Sequence, residues 1–260
     1  MKIATWNVNS LRVRLPQLLV WLQQNPVDVL ALQETKLTDD AFPHAELEAA
    51  GYRAAHSGQK AYNGVAILSR LPLTEVSRDL PNLDDAQKRL IAATVEAPSG
   101  PLRVISAYVV NGQAVGSEKF DYKLRWLAAL SDYLGQELSR HRHLAVVGDF
   151  NIAPEDRDVH DPEAWRERIL CSTPERSRFR ALLELGLVDA LRQYTDAPGV
   201  FTWWDYRQAA FRRNLGLRID HVLVTAPLAK RVTEVGVDLG PRRNERPSDH
   251  APVVVHLAPA

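Results

Sequence analysis

The chain has 260 residues, 45% hydrophobic and 25% charged, with 32 basic side chains against 32 acidic ones and one cysteine. That length can bury a large core and the apolar fraction is ordinary, which excludes a disordered chain. No stretch approaches the ~18 uninterrupted apolar residues of a membrane-spanning helix, and a net charge of zero removes the cheapest argument for a nucleic-acid partner, a strongly basic whole domain.

The N-terminus enters a strand-like run at once, without the charged and apolar regions of a secretory signal. Cys171 has no partner for an internal disulfide, and the cytoplasm is the expected compartment. The neutral total hides an uneven distribution: residues 149–163 hold six acids and one Arg, whereas residues 205–218 hold four Arg and one acid. No repeat, low-complexity tract or Gly/Ser linker interrupts the chain, so residues 1–260 are expected to form a single domain.

In chain order, residues 3–6 read as a buried strand. Leu15, Leu18, Leu19 and Leu22 then share one helical face, with Ser10 as N-cap and Pro16 tolerated in the first turn. Further short, β-branched apolar runs at 29–32, 65–68, 91–95 and 104–109 read as strands. Phe120, Leu124, Leu127, Leu134 and Leu138 make a long helical stripe. A strand at 144–147 follows, then a helix carrying Phe179, Leu182 and Leu183 and closed by Gly186, and strands at 219–224 and 253–257. Strands and helices alternate without strict βαβ regularity, so the class is α/β, with two sheets covered by helices.

Polar residues stand where the apolar runs end. Residues 3–6 lead to Asn7 and Asn9, residues 29–32 to Glu34, the run carrying Tyr108 to Asn111, residues 144–147 to Asp149 and Asn151, and Ile219 to Asp220. Carboxylates gathered at one rim repel one another, an arrangement tolerated where a divalent cation compensates. Oxygen donors of this kind suit Mg²⁺ or Mn²⁺, and the chain lacks the cysteine pairs of a structural zinc site. Asp249-His250 precedes the last strand; a histidine there exchanges or holds a proton best when a carboxylate such as Asp220 fixes its tautomer. Trp203, Trp204 and Tyr206 interleave with Arg207, Arg212, Arg213 and Arg218, the composition of a loop that tracks a nucleic-acid backbone. His141-Arg142-His143 and Asp156-x-Asp158-x-His160 lack the further ligands that metal sites need.

These segments resemble the motif series of exonuclease III type abasic-site endonucleases, in the family's order from residue 3 to residue 255. The series comprises Trp6-Asn7-Val8-Asn9, Leu32-Gln33-Glu34-Thr35-Lys36, Tyr108-Val109-Val110-Asn111-Gly112, Gly148-Asp149-Phe150-Asn151, Trp203-Trp204-Asp205-Tyr206-Arg207, Gly216-Leu217-Arg218-Ile219-Asp220 and Ser248-Asp249-His250. The resemblance implies a four-layer α/β sandwich of two mixed sheets flanked by helices, of DNase I-like type. It also implies a Mg²⁺-dependent DNA repair nuclease, with Mn²⁺ able to substitute, cutting 5′ to abasic sites and carrying 3′ to 5′ exonuclease and 3′-phosphatase activity. By position it implies Glu34, Asn7, Asp149, Asn151, Asp249 and His250 around the metal, and Tyr108, Asp149, Asn151, Asp220 and His250 as catalytic residues. Asn9, Asn111, Trp203, Leu217, Arg218 and Ile219 would bind substrate, with Trp203, Leu217 and Ile219 lining an apolar pocket for a base-free sugar.

Asp149 and His250 are both candidate general bases; Asp149 is preferred because a His250 protonated beside Asp220 donates better than it accepts. The implied partner is double-stranded DNA, abasic or with blocked or recessed 3′ ends, bound by a monomer with no membrane association. The chain departs from the family at Val110, where Pro is usual, at Asn9, where other branches carry a carboxylate, and at Leu217, where some relatives carry Trp. A lipid-directed phosphatase of the same superfamily would want an apolar loop in place of this Arg-rich one. An inactive DNA-binding relative would have lost carboxylates that are all present here.

Overall fold

The computed structural model describes residues 1–259. Its strands in chain order are β1 (Lys2–Asn7), β2 (Val29–Gln33), β3 (Arg53–Ser57), β4 (Val65–Ser69), β5 (Leu73–Arg78), β6 (Leu90–Ala97) and β7 (Gly100–Tyr108), followed by β8 (Leu144–Asp149), β9 (Leu187–Asp189), β10 (Trp203–Trp204), β11 (Gly216–Leu217), β12 (Asp220–Thr225), β13 (Val232–Val237) and β14 (Val253–Leu257). The helices are α1 (Leu11–Gln24), α2 (His44–Ala49), α3 (Glu118–Arg140), α4 (Pro162–Trp165), α5 (Thr173–Glu184), α6 (Ala190–Tyr194) and α7 (Ala226–Ala229).

Two six-stranded sheets run β13-β14-β1-β2-β4-β3 and β5-β6-β7-β8-β12-β9. Each has one parallel pair at its centre, β1 with β2 and β7 with β8, joined through α1 and α3, and antiparallel strands outward from it. The inner faces of both sheets share one apolar core that includes Ile3, Val29, Ile67, Val104, Val147 and Val255. The outer face of the first sheet packs on α1 and α2 through Trp6, Leu18, Leu30 and Leu47. The outer face of the second packs on α3 and α5 through Ile105, Val146, Leu130 and Phe179. The result is the expected four-layer α/β sandwich. Central strands are buried on both faces, which is why they read as unbroken apolar runs in the sequence. No helix among the described residues is long and apolar enough to cross a membrane.

Local signals set most of the helix ends. Ser117 and Ser172 cap α3 and α5 through their side chains, and Ser172 with Glu175 forms a full capping box. Gly186, at φ +102°, follows α5 as expected. The start of α1 differs from the sequence reading. Ser10 has φ +88° and its side chain makes no cap. The Ser10 and Leu11 amides instead donate to Glu34 O at 2.8 Å and Thr35 O at 3.0 Å, so the loop after β2 caps the helix. The helix therefore starts at Leu11, and Pro16 lies in its interior rather than in its first turn.

Candidate active site

The sheet topology brings the polar strand ends to one rim. In the parallel register Asn7 stands opposite Gln33, so Asn7 and Glu34 leave the first sheet on the same side. Tyr108 and Asp149 are likewise opposite each other at the ends of β7 and β8. Strand β12 runs antiparallel to β8 with Asp220 opposite Asp149, so its first residue faces that rim too. Strand β14 runs antiparallel to β1, and His250, just before it, arrives at the same edge.

Side chains from both sheets meet there. The Asn7 amide donates to Glu34 Oε1 and to Asp149 Oδ2, each at 2.9 Å, bridging the two carboxylates. Ligand atoms of Glu34, Asp149 and His250 lie within 4.8 Å of one another. His250 Nδ1 sits 2.8 Å from Asp220 Oδ2, and its Nε2 is 3.6 Å from Asp149 Oδ2. Thr202 donates to Asp220 Oδ2 at 2.6 Å, while Ser248 donates to Asn7 O at 2.6 Å and accepts from the His250 amide at 3.2 Å. Asn151 donates its backbone amide to Asp149 Oδ1 at 2.9 Å and its side chain to Val109 O at 2.9 Å. Asn111 reaches Asn151 Oδ1 at 3.4 Å from the exposed side.

Burial and charge set the protonation of the cluster. Burial pushes the Asp149 carboxyl up to about 7; His250 pulls against that rise and Asp220 adds to it. Burial works against the His250 imidazolium, but Asp220 and Asp149 outweigh it and raise the group to about 10. While it carries that proton His250 is a donor and not a metal ligand. Burial, then Glu34 and Asp149, lifts the Tyr108 phenol well above its ordinary value, so Tyr108 keeps its hydroxyl proton; the Arg89 guanidinium lies 4.7 Å from its ring centre. Two carboxylates brought this close at one rim fit a hard divalent cation: Glu34 and Asp149 supply the charge.

The backbone is shaped for this presentation. Asn9, Glu34 and Asn151 occupy the left-handed region at φ +44°, +52° and +49°. Gly148 has φ +146°, and a Cβ there would lie 2.0 Å from Ala107 O, so only glycine lets β7 and β8 approach closely enough to aim Asp149.

The recognition side differs more from the sequence reading. Asp249 lies outside the Glu34, Asp149 and His250 cluster. Its oxygens accept from Trp203 Nε1 at 3.0 Å and Asn9 Nδ2 at 3.2 Å, and Lys36 Nζ donates to Asn9 Oδ1 at 2.6 Å. Trp203 pairs with Leu217 across the β10–β11 ribbon and bridges to His250. Leu217 and Ile219, however, do not line an open pocket. Both are buried against Val159, Leu170 and Cys171, beneath Trp203. The nearby cleft, about 440 Å³, is lined by Trp203, Trp165, His160, Arg168 and Leu215 among others.

Arg218 is also placed differently from the substrate contact expected of it. It is 1% exposed and donates to Asp158 at 2.7 Å and to Asp189 at 2.9 Å, so its charge is spent inside the protein. Asp158 in turn pairs with Arg192 at 2.5 Å, which leaves nothing of a calcium loop at that segment. Arg242 is likewise buried, 4.8 Å from the Phe211 ring centre. The positioning roles of Thr202, next to the Trp203 motif, and of Ser248, inside the last motif, were not assigned from the sequence.

Buried carboxylates, a charged imidazole and amides converging at the joint edge of two sheets, beside an aromatic and arginine-bearing ribbon, define a hydrolase centre for phosphate esters. The chain belongs to the endonuclease/exonuclease/phosphatase family, whose model matches residues 4–250. It is 40% identical to exodeoxyribonuclease III of Haemophilus influenzae, over 97% of this chain and 98% of that one. Among solved structures it is similar to the 3′ phosphatase NExo from Neisseria bound to product DNA hairpin, with 53% identity, a TM-score of 0.95 and 99% of each chain covered. It is also similar to an AP endonuclease from Archaeoglobus fulgidus, with 39% identity, a TM-score of 0.94 and 99% of each chain covered. Within the family it groups with hydrolases of the nuclease type.

Proposed function

We propose that the protein is a Mg²⁺-dependent DNA repair nuclease that hydrolyses the phosphodiester 5′ to an abasic site in duplex DNA. The same centre would trim recessed 3′ ends and remove 3′-phosphates. The observation that carries this reading is the meeting of Glu34, Asp149 and His250 within 4.8 Å, bridged by Asn7. The names of the Haemophilus, Neisseria and Archaeoglobus relatives support the substrate class.

Each residue then has a task. Glu34 and Asp149 would hold the cation with Asn7 beside them, Asn151 and Asp249 bordering the site, and the ion would neutralise charge on the phosphoryl oxygens. Mn²⁺ would serve in its place. Asp149, ionised, takes the proton of the attacking water, and Asn151 orients that water and the phosphate. The water oxygen bonds to phosphorus as the bond to O3′ breaks; the departing O3′ takes a proton from solvent, to which Asp149 returns the one it accepted, leaving a 3′-hydroxyl and a 5′-phosphate on the sugar that lacks its base. His250, kept cationic by Asp220, donates to a non-bridging oxygen, and Tyr108 and Asn111 donate beside it. Trp203 stands over the packed Leu217 and Ile219 where an extruded sugar would rest, a base-free sugar costing little unstacking to extrude. The protein would act as a monomer in the cytoplasm.

An end-labelled duplex carrying one tetrahydrofuran abasic analogue tests the proposal. Incision 5′ to the analogue with Mg²⁺ and none with EDTA is expected. An intact duplex after incubation with folded protein and Mg²⁺ would overturn it. Parallel substrates with recessed 3′ ends and with 3′-phosphates rank the remaining activities.

A further inference from the structure

Lysine is seldom fully buried, and its ammonium carries three donors that must all be satisfied when it is. Lys123, on the first turns of α3, has a side chain with no exposure, as does its ion-pair partner Glu175 on α5. Its Nζ donates to Asn111 O at 3.1 Å, to Asn151 O at 2.6 Å and to Glu175 Oε1. Glu175 is saturated in turn, accepting from the Leu170 amide at 3.0 Å and from Ser172 through its amide at 3.1 Å and its hydroxyl at 2.6 Å.

The two carbonyls that Lys123 grips belong to different loops, one after β7 and one after β8. They are the loops whose side chains, Asn111 and Asn151, face each other at the rim. Asn151 sits at φ +49°, in the left-handed region that asparagine tolerates and that a bond to its carbonyl can hold in place. A Cβ on Gly112 would come within 3.0 Å of Lys123 Cδ, so the chain has kept space for the lysine stem beneath the Asn111 turn.

We infer that Lys123, backed by Glu175, is a positioning residue that clamps the Asn111 and Asn151 backbones in register for the phosphate. This inference rests on the orienting roles proposed for those two asparagines. Of its three donors one goes to α5 and two go to the carbonyls of site residues, so the groups that satisfy the buried ammonium are those that set the two loops.

The test compares Glu175→Gln with Lys123→Met/Glu175→Gln, so that no buried carboxylate is stranded when the lysine is removed. Single-turnover cleavage of the abasic-analogue duplex with Mg²⁺ is the readout, alongside Tm and DNA affinity. Glu175→Gln leaves both carbonyl bonds in place and should lower Tm with a rate within about 2-fold of wild type. Adding Lys123→Met should cut the rate roughly 10- to 100-fold at near-constant DNA affinity, the penalty of a displaced orienting group. In an Asn111→Ala/Asn151→Ala background the same pair of substitutions should add less than about 2-fold. A rate unchanged by Lys123→Met, or the full loss repeated in the Asn111→Ala/Asn151→Ala background, would overturn the clamp. If Lys123→Met/Glu175→Gln does not fold, the apolar pair Lys123→Leu/Glu175→Leu takes its place with the same expected loss, and a rate held at the wild-type value would overturn the clamp. An inactive wild type would count against the functional reading alone. The clamp is then decided by the NMR signals of the Asn111 and Asn151 amides, which shift in the folded double variant if it holds and stay in place if it does not.

Discussion

At Asp149, burial and neighbouring charge act on one carboxyl in opposite directions, leaving it at about 7. A carboxyl whose native value is raised stabilises the fold in its protonated form. The Asp149 contribution is therefore complete below about pH 4 and is lost as pH rises through about 7. Cation binding needs the ionised form, so Mg²⁺ should raise Tm little near pH 6 and clearly more near pH 8. Equal shifts at the two pH values would contradict the assignment of Asp149 to the metal. His250 stabilises as its cation, fully below about 6.5 and decreasingly as pH passes about 10, so it stays charged over the range in which Asp149 titrates. At this scale the sequence was most informative, because Asn7, Glu34, Asp149, Asp220 and His250 all meet at the rim. It was least informative for Arg218, whose charge type suggested phosphate while its surroundings hold Asp158 and Asp189.

Strands at sheet centres were legible because burial on both faces demands an unbroken apolar run. Edge strands β5 and β13 were not, since their half-exposed patterns, Leu-Thr-Glu-Val-Ser-Arg and Val-Thr-Glu-Val-Gly-Val, carry polar residues that read as loop. The Lys123 and Glu175 pairing also escaped notice, because helices α3 and α5 come together only in the folded chain. The pairing of β7 with β8 sets the aim of Asp149, and Gly148→Ala should cost about 2–4 kcal/mol in denaturant unfolding, through the Cβ contact with Ala107 O and the positive φ. The Asp158 node joins the 156–159 segment to α6 through Arg192 and, through Arg218 between β11 and β12, to Asp189 of β9. Asp158→Ala leaves Arg218 and Arg192 without their shared carboxylate and should cost about 3–5 kcal/mol. A Tm within a degree or two of wild type would show that this network does not hold the recognition ribbon in place.

Over the whole molecule, zero net charge now divides into parts. Carboxylates are required at the rim, Arg218 and Arg242 are spent inside, and Arg207, Arg212, Arg213, Arg243 and Arg246 remain exposed. With little net field to attract DNA from a distance, affinity should depend on a few local phosphate contacts. Replacing Arg212 and Arg213 with Gln should flatten the slope of log affinity against log salt by up to about 2, and an unchanged slope would move the phosphate contacts elsewhere. If the rim is a hydrolytic centre, it works through Asp149. The most direct test is single-turnover incision of the abasic-analogue duplex by wild type and by Asp149→Asn, matched for Tm, with saturating Mg²⁺. The expected result is a loss of roughly 10²- to 10⁴-fold with the 3′-hydroxyl product unchanged in wild type; incision by Asp149→Asn at the wild-type rate would contradict it.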